Sequence, residues 1–323
     1  MLLAVALVAV APVWLEAQQL SHIQHVLILI GLYATLAAAW NVLGGYAGQV
    51  SLGNAVFFGV GAYVPTLLVI RLGLTPWLGL LAGVLLAVAL GLVIGYYTFH
   101  LGGHYFAIAT IAVGEIVQTS FINWKDVGGA AGLSQPLLPS ALINFQFASR
   151  MPYLYTVAAL AGIALLATVL MERSRLGFYF RAIRNDPLAA RCLGVDITRY
   201  KLVALAISAA LTAAGGTFYA QYVLFVDPES TLSLRLSVLI VLVAVLGGVG
   251  TVWGPLLGAA VLIPLSEGTR VYLASAAGGG RAIDLMIYGL LIIMITLFRP
   301  GGLVALARSG RNPAVATGAA GQT

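Results

Sequence analysis

Long apolar stretches follow one another along this chain, separated by short polar or glycine-rich interruptions. A helix needs about 20 mostly apolar residues to cross the hydrocarbon core of a bilayer. Stretches of that kind run over 26–42, 51–70, 77–99, 104–122, 151–171 and 201–226. The apolar run 283–298 is shorter and must extend or snorkel at its ends, and 1–15 reads as a short or trimmed first crossing. Region 234–265 is long enough for two passes but is interrupted by Gly247-Gly248-Val249-Gly250 and by Gly254-Pro255. These interruptions predict two half-spans, 234–247 and 253–265, meeting at a break. The pattern predicts an all-α integral membrane protein: a polytopic helical bundle with broken or re-entrant helices over residues 1–308, with about eight to ten membrane segments. The small, polar stretch 309–323 is predicted to be a disordered cytoplasmic tail.

A second interruption lies early in the chain. The run Gly44-Gly45-Tyr46-Ala47-Gly48-Gln49-Val50-Ser51-Leu52-Gly53 is too rich in glycine for a plain helix. It predicts a segment unwound within the membrane, whose backbone groups can face a substrate path; a flexible internal loop is the competing reading.

Composition agrees with the pattern. The chain of 323 residues is 61% hydrophobic and 8% charged, with a mean hydropathy of +1.02. A soluble domain carries about 25% charged residues, so this one could not cover a water-facing surface. The charge is also localised: seven basic and three acidic residues lie between Glu172 and Lys201. Basic residues collect on the cytoplasmic side of membrane proteins, which places 172–201 there and, by alternation, puts 71–76 and 123–150 outside. The net charge of +6 is therefore a signal of topology rather than of a nucleic-acid partner. Trp77 and Trp124 fall at segment ends, where an aromatic belt is expected.

Several chemistries are excluded. Cys192 is the single cysteine, so the chain forms no internal disulfide, and His22, His25, His100 and His104 do not follow a metal-binding spacing. The chain holds no G-x-x-x-x-G-K-[ST] run, and Lys125 and Lys201 are its only lysines, so it carries no P-loop for ATP. No loop is large enough for an enzyme domain. Energy for transport must come from an ion gradient or from a separate ATP-hydrolysing subunit.

The basic loop reads ERSRLGFYFRAIRNDPLAARCLGVDITRYK. Asp186 is placed to cap a short helix that opens with Pro187 and covers Leu188 to Leu193. Gly194 is placed to stop that helix in the left-handed conformation, and Asp196 to cap the next one. A short stiff helix across the cytoplasmic mouth suits a docking element; an interfacial helix on lipid head groups is the alternative. Within the spans, Glu115 stands out as a candidate translocation-path residue, because a carboxylate at membrane depth is costly unless paired or hydrated; a bond to another helix is the alternative. Glu267 and Asp284, with Arg270 and Arg281, read as interface charges flanking an external loop.

Five ordered blocks carry a resemblance: NVLGGYAGQVSLGNAVFFGVGAY (41–63), GGHYFAIATIAVGEI (102–116), RAIRNDPLAARCLGVDITRYKLVALAISAALTAAGG (181–216), VLGGVGTVWGPLLGA (245–259) and LIIMITLFRPGGL (291–303). Through them nearly the whole chain resembles the inner-membrane permease subunits of bacterial ABC importers for branched-chain amino acids, of the LivM type. The resemblance implies a multi-pass inner-membrane subunit that is not an enzyme. It implies a sister permease of the LivH type, two ABC ATPase subunits that use ATP and Mg, and a periplasmic substrate-binding protein. It also places Arg184, Asn185, Asp186, Ala189, Ala190 and Gly194 in the ATPase coupling loop, and carries over Gly44, Gly48, Gln49, Ser51 and Gly53 as translocation-path residues. Two departures are visible: Asn54, where a histidine is common in relatives, and the AAGGGR stretch within 268–282. Close relatives also serve urea, short-chain amides and other amino acids. An ion-driven transporter would need several carboxylates in its spans, and only Glu115 is well placed; a scaffold would gain little from broken, glycine-rich segments.

Overall fold

A computed structural model describes residues 21–276 apart from 102, 138, 140 and 141, together with 289 and 302–304. The segments 1–15 and 283–298 and the tail 309–323 lie outside the described residues, Gly289 excepted. Among the described residues, seven helices are long and apolar enough to cross a membrane, and strand is almost absent. The chain is a polytopic helical membrane protein.

The first five long helices are α1 (Ser21–Asn41), α2 (Asn54–Leu72), α3 (Pro76–Thr98), α4 (His104–Asn123) and α5 (Met151–Arg173). Local chemistry sets many of their ends. Gly73 adopts a left-handed φ of 62° and returns its N–H to the carbonyls of Leu68 and Val69, closing α2. Pro76 then occupies the first turn of α3, where its missing N–H costs nothing.

The basic loop contains two helices rather than one: α6 (Arg175–Asn185) and α7 (Pro187–Cys192). The first is not among the elements expected from the sequence. Its buried residues Gly177, Phe180 and Ile183 recur every three positions among arginines, an amphipathic pattern that the sequence reading overlooks beside the long apolar runs. The next helix, α8 (Ile197–Val223), starts four residues before the apolar run that predicts it, because Asp196 caps it by accepting from the Arg199 N–H at 3.1 Å.

The region expected to hold two half-spans is built differently. A short helix, α9 (Pro228–Thr231), leads into α10 (Leu234–Gly247), and together they span Pro228–Gly247. After a turn, α11 runs over Gly254–Ala276, 23 residues or about 34 Å at 1.5 Å per residue. It is one continuous helix that runs well past 265. Pro255 sits in its first turn, a favoured place, so Gly254-Pro255 starts a helix instead of interrupting one. Glu267 and Arg270, expected beside an external loop, lie within α11.

The core is formed by α1, α2 and α8, which pack closely because small residues face one another. A side chain on Gly61 would strike the Ala213 backbone, and one on Gly216 the Phe58 carbonyl. Thr217 Oγ1 donates to the carbonyls of Gly61 at 2.8 Å and Ala213 at 3.2 Å. Along α3 the buried face is Gly79, Gly83, Ala87, Gly91 and Gly95, while Leu78, Leu81, Leu85 and Val93 point outward. Small inside and large outside is the arrangement expected where lipid tails are as apolar as leucine.

Two ends of the bundle are distinguishable. At one, Arg71 donates to the Asp126 carbonyl, Trp77 Nε1 donates to the Leu142 carbonyl at 2.8 Å, and β1 (Leu133–Ser134) pairs antiparallel with β2 (Phe225–Val226). The stretches around 71–77, 123–150 and 224–227 therefore share one end, as the alternation of basic loops requires. At the other end 44–53, the α6–α7 loop and the α10–α11 turn come together.

Candidate functional site

The second end centres on the last turn of α1. Beyond Asn41 the helix widens into a π-turn over Val42–Tyr46, closed by the Ala47 N–H on the Val42 carbonyl at 3.2 Å. Such turns recur at functional sites. Gly48 then takes a φ of 71°, and the chain runs non-helically to Gly53.

This stretch climbs into the bundle. Trp40 Nε1 donates to the Ser51 carbonyl at 2.7 Å, and the Leu52 N–H donates to Thr110 Oγ1 at 3.1 Å. The Asn54 amide reaches Ser208 Oγ at 3.4 Å, and the Ala55 N–H donates to Ser237 Oγ at 2.9 Å. Ser208 lies about 16 Å along α8 from its first residue. The segment thus begins at the level of the basic loop and ends near mid-height, where α2 starts. Ser51, Gly53, Phe57, Thr98, Phe106 and Thr110 line a small recess beside it.

Two side chains tie this break to the rest. Asn41 is fully buried; its amide donates to the Thr251 carbonyl at 2.9 Å and accepts from the Gly250 N–H at 2.7 Å. Arg184, in the last turn of α6, donates through Nη1 to the Gly45 carbonyl at 2.5 Å. Carbonyls at a helix C-terminus lack intrahelical partners, and a cation there also suits the helix dipole. Gly45 has no room for a side chain against the Gly250 backbone, and Gly48 and Gly250 take left-handed φ values of 71° and 76°. A Cβ on Gly250 would strike Arg184 Nη1, one on Gly45 would strike Asn41 Oδ1, and one on Gly48 would sit 3.0 Å from Arg184 Cγ.

The local chemistry of the basic loop is as its sequence predicts. Asp186 accepts from the N–H groups of Leu188 at 2.8 Å and Ala189 at 3.0 Å, with Pro187 at the first helical position. Gly194 takes a φ of 85°. Asn185, Asp186 and Ala189 are exposed, as are Leu188 and Leu193, two large apolar residues at 73% and 84% exposure. Ala190 is buried against the chain itself. Arg184 is exposed as a residue, with its stem against Gly48 and its Nη1 on the Gly45 carbonyl.

The residues expected to line a path separate into groups. Gly44 is buried under the Trp40 ring, and Ser51 and Gly53 pack on the core. Gly48 is exposed and Gln49 half-buried, next to the exposed Val50. Glu115 does not join them. On α4 the inward residues are Phe106, Thr110, Val117 and Phe121, and Glu115, five positions after Thr110, lies about 140° around the helix on an exposed face. Sequence reasoning misses Trp40, Asn41 and Thr251, and reads Gly250 only as part of an interruption. The signal that could have found them is a tryptophan and an asparagine side by side at the end of an apolar run.

Comparison with known proteins agrees with this architecture. The family model described as branched-chain amino acid transport system / permease component matches residues 22–296. The chain belongs to that family. Among its relatives, the high-affinity branched-chain amino acid transport system permease protein LivM of Escherichia coli K12 is 31% identical over 300 residues, covering 86% of this chain and 68% of that protein. The LivM protein of Salmonella typhimurium LT2 is 30% identical with the same coverage. The LivH permease protein of Escherichia coli K12 is 24% identical over 292 residues, covering 84% of this chain and 91% of that protein. The permease described here is thus a multi-pass membrane transport component, and its two breaks, at 44–53 and 248–253, both lie within the matched region.

Proposed function

We propose that this permease carries branched-chain amino acids (Leu, Ile or Val) inward across a bacterial inner membrane as one subunit of an ATP-driven importer. The observation that carries the reading is the coupling-loop helix pair: α7 and its C-cap leave Leu188 and Leu193 exposed, while α6 reaches both chain breaks through Arg184. Exposed apolar residues on an otherwise charged loop suit a contact surface, which this reading gives to a protein partner. The partners in this reading are two ABC ATPase subunits on the cytoplasmic side, which use ATP and Mg, and a periplasmic binding protein on the opposite face.

The sister permease in this reading is of the LivH type, in keeping with LivM and LivH being named as separate permease proteins of one transport system. A second permease also bears on Glu115. Facing away from its own bundle, Glu115 contributes to a path only where that path runs between two permease subunits. Gly48 and Gln49 line the same path from the cytoplasmic side, with Gly44, Ser51 and Gly53 holding the segment in place.

Reconstitution of the five-component complex in vesicles, with ATP on the ATPase side and labelled leucine, isoleucine, valine, urea and short-chain amides outside, tests this. ATP-dependent uptake of the branched-chain amino acids is the expected result. Uptake of urea or an amide in their place overturns the cargo, and uptake by the isolated chain under an ion gradient overturns the energy source.

A further inference from the structure

The family resemblance puts Arg184 among residues that dock an ATPase, yet its guanidinium points the other way. It holds the Gly45 carbonyl in the π-turn and lies against Gly250 in the α10–α11 turn, while its stem packs on Gly48. Asn41 completes the junction by binding Gly250 and Thr251. Three segments far apart in sequence therefore meet at one guanidinium and one amide. Only Asn185 separates Arg184 from Asp186, the cap of α7, so any movement of α7 is applied to Arg184 over a very short lever.

We propose that Arg184 is a positioning residue that transmits displacement of the α6–α7 pair to both chain breaks, and is not part of the surface that binds the ATPase. This rests on the ATP-driven reading given above. A contact shifts a conformational equilibrium only if it differs between the two states. The Arg184–Gly45 bond is therefore made in one state of the transport cycle and broken in the other. Because the stem of Arg184 lies on Gly48 while its Nη1 sits between Gly45 and Gly250, a shift of α6 is felt at both breaks together. Asn41 ensures that the α10–α11 turn moves with the end of α1.

The test uses the full complex with variants Arg184→Ala, Arg184→Lys, Asn41→Ala, the double variant Arg184→Ala/Asn41→Ala, and Leu188→Glu on the exposed face. Two quantities are read: co-purification of the ATPase subunits, and the ratio of ATP hydrolysis with loaded binding protein to hydrolysis without it. In Arg184→Ala the ATPase subunits remain bound while the stimulation ratio falls toward one. Arg184→Lys restores part of the ratio, since it keeps a charge and a donor but not the planar fork. Asn41→Ala lowers the ratio too, and the double variant is no worse than the more severe single one, as for residues acting as a unit. Leu188→Glu instead loses the ATPase subunits.

Loss of the ATPase subunits from Arg184→Ala makes Arg184 a docking residue and overturns the proposal, as does a wild-type ratio or simple additivity. If Arg184→Ala fails to accumulate in the membrane, Arg184→Lys and Asn41→Ala decide by the same ratio. Absence of ATP-dependent uptake in the wild-type complex refutes the underlying reading instead, and is measured separately.

Discussion

Trp40 donates its indole N–H to the carbonyl of Ser51 at 2.7 Å, across eleven residues that contain a π-turn and a left-handed glycine. Both partners are buried, so the end of α1 carries its own clamp on the non-helical stretch beyond it. The Trp40 ring also covers Gly44, which leaves no room there for any side chain. Trp40→Phe keeps most of the ring but leaves the Ser51 carbonyl without its donor. An unsatisfied buried acceptor costs about 1–3 kcal/mol. The expected outcome is a lower thermal unfolding midpoint in detergent together with reduced uptake, because the 47–53 segment loses its anchor. An unchanged midpoint would show that the indole bond contributes nothing to holding the break.

Features legible in the sequence separate from the rest by range. The Asp186 cap, Pro187 at the first helical position, the Gly194 stop and the Asp196 cap are each encoded within a few residues, and all four are as expected. The long helices are legible because each needs only length and apolarity. The junction is not, since Asn41 meets Gly250 and Thr251 some 210 residues away and Arg184 meets Gly45 across 139. No periodicity records such contacts. The misreading of 253–265 has a different cause. Gly254-Pro255 is compatible with either a break or a helix start, and the continuous helix Gly254–Ala276 makes it a start.

The packing of α2 on α8 depends on glycine in a way that can be tested. Gly61 and Gly216 sit against backbone, which cannot give way as the end of a flexible side chain can. Gly61→Leu and Gly216→Leu are therefore expected to abolish accumulation of folded protein in the membrane. Gly162 on α5 has open space around it, and Gly162→Ala should be neutral or stabilising by up to about 1 kcal/mol through helix propensity. Fluorescence-detected size-exclusion profiles of the three variants compare them directly. A normal profile for Gly216→Leu would refute the close approach.

The stiffness of the basic loop can be tested in the same way. Asp186→Ala removes the acceptor for two N–H groups, and losing a helix cap costs about 0.5–2 kcal/mol. Gly194→Val forces a β-branched residue into a left-handed conformation, at a cost of about 1–3 kcal/mol. Both changes lie outside the membrane core, so each variant should reach the membrane in normal amount while ATP-dependent uptake falls. Hydrogen exchange over 186–194 should quicken in both. Full uptake in the two variants would mean that a folded α7 is not needed for coupling.

Glu115 carries its carboxylate on an exposed face of an apolar helix, where exposure to lipid costs about 2.5–3.5 kcal/mol near the bilayer centre. A chain has little reason to bear that cost unless the carboxylate meets water, substrate or a second subunit. If Glu115 faces a path between two permeases, Glu115→Gln lowers uptake by the assembled complex without lowering the thermal stability of this subunit alone. The isolated subunit should even gain stability, since it loses a charge that has no ion-pair partner among the described residues. Unchanged uptake in Glu115→Gln would remove the residue from the path and leave the exposed positions Gly48 and Gln49, beside the Arg184 junction, as its remaining polar and open contacts in this chain.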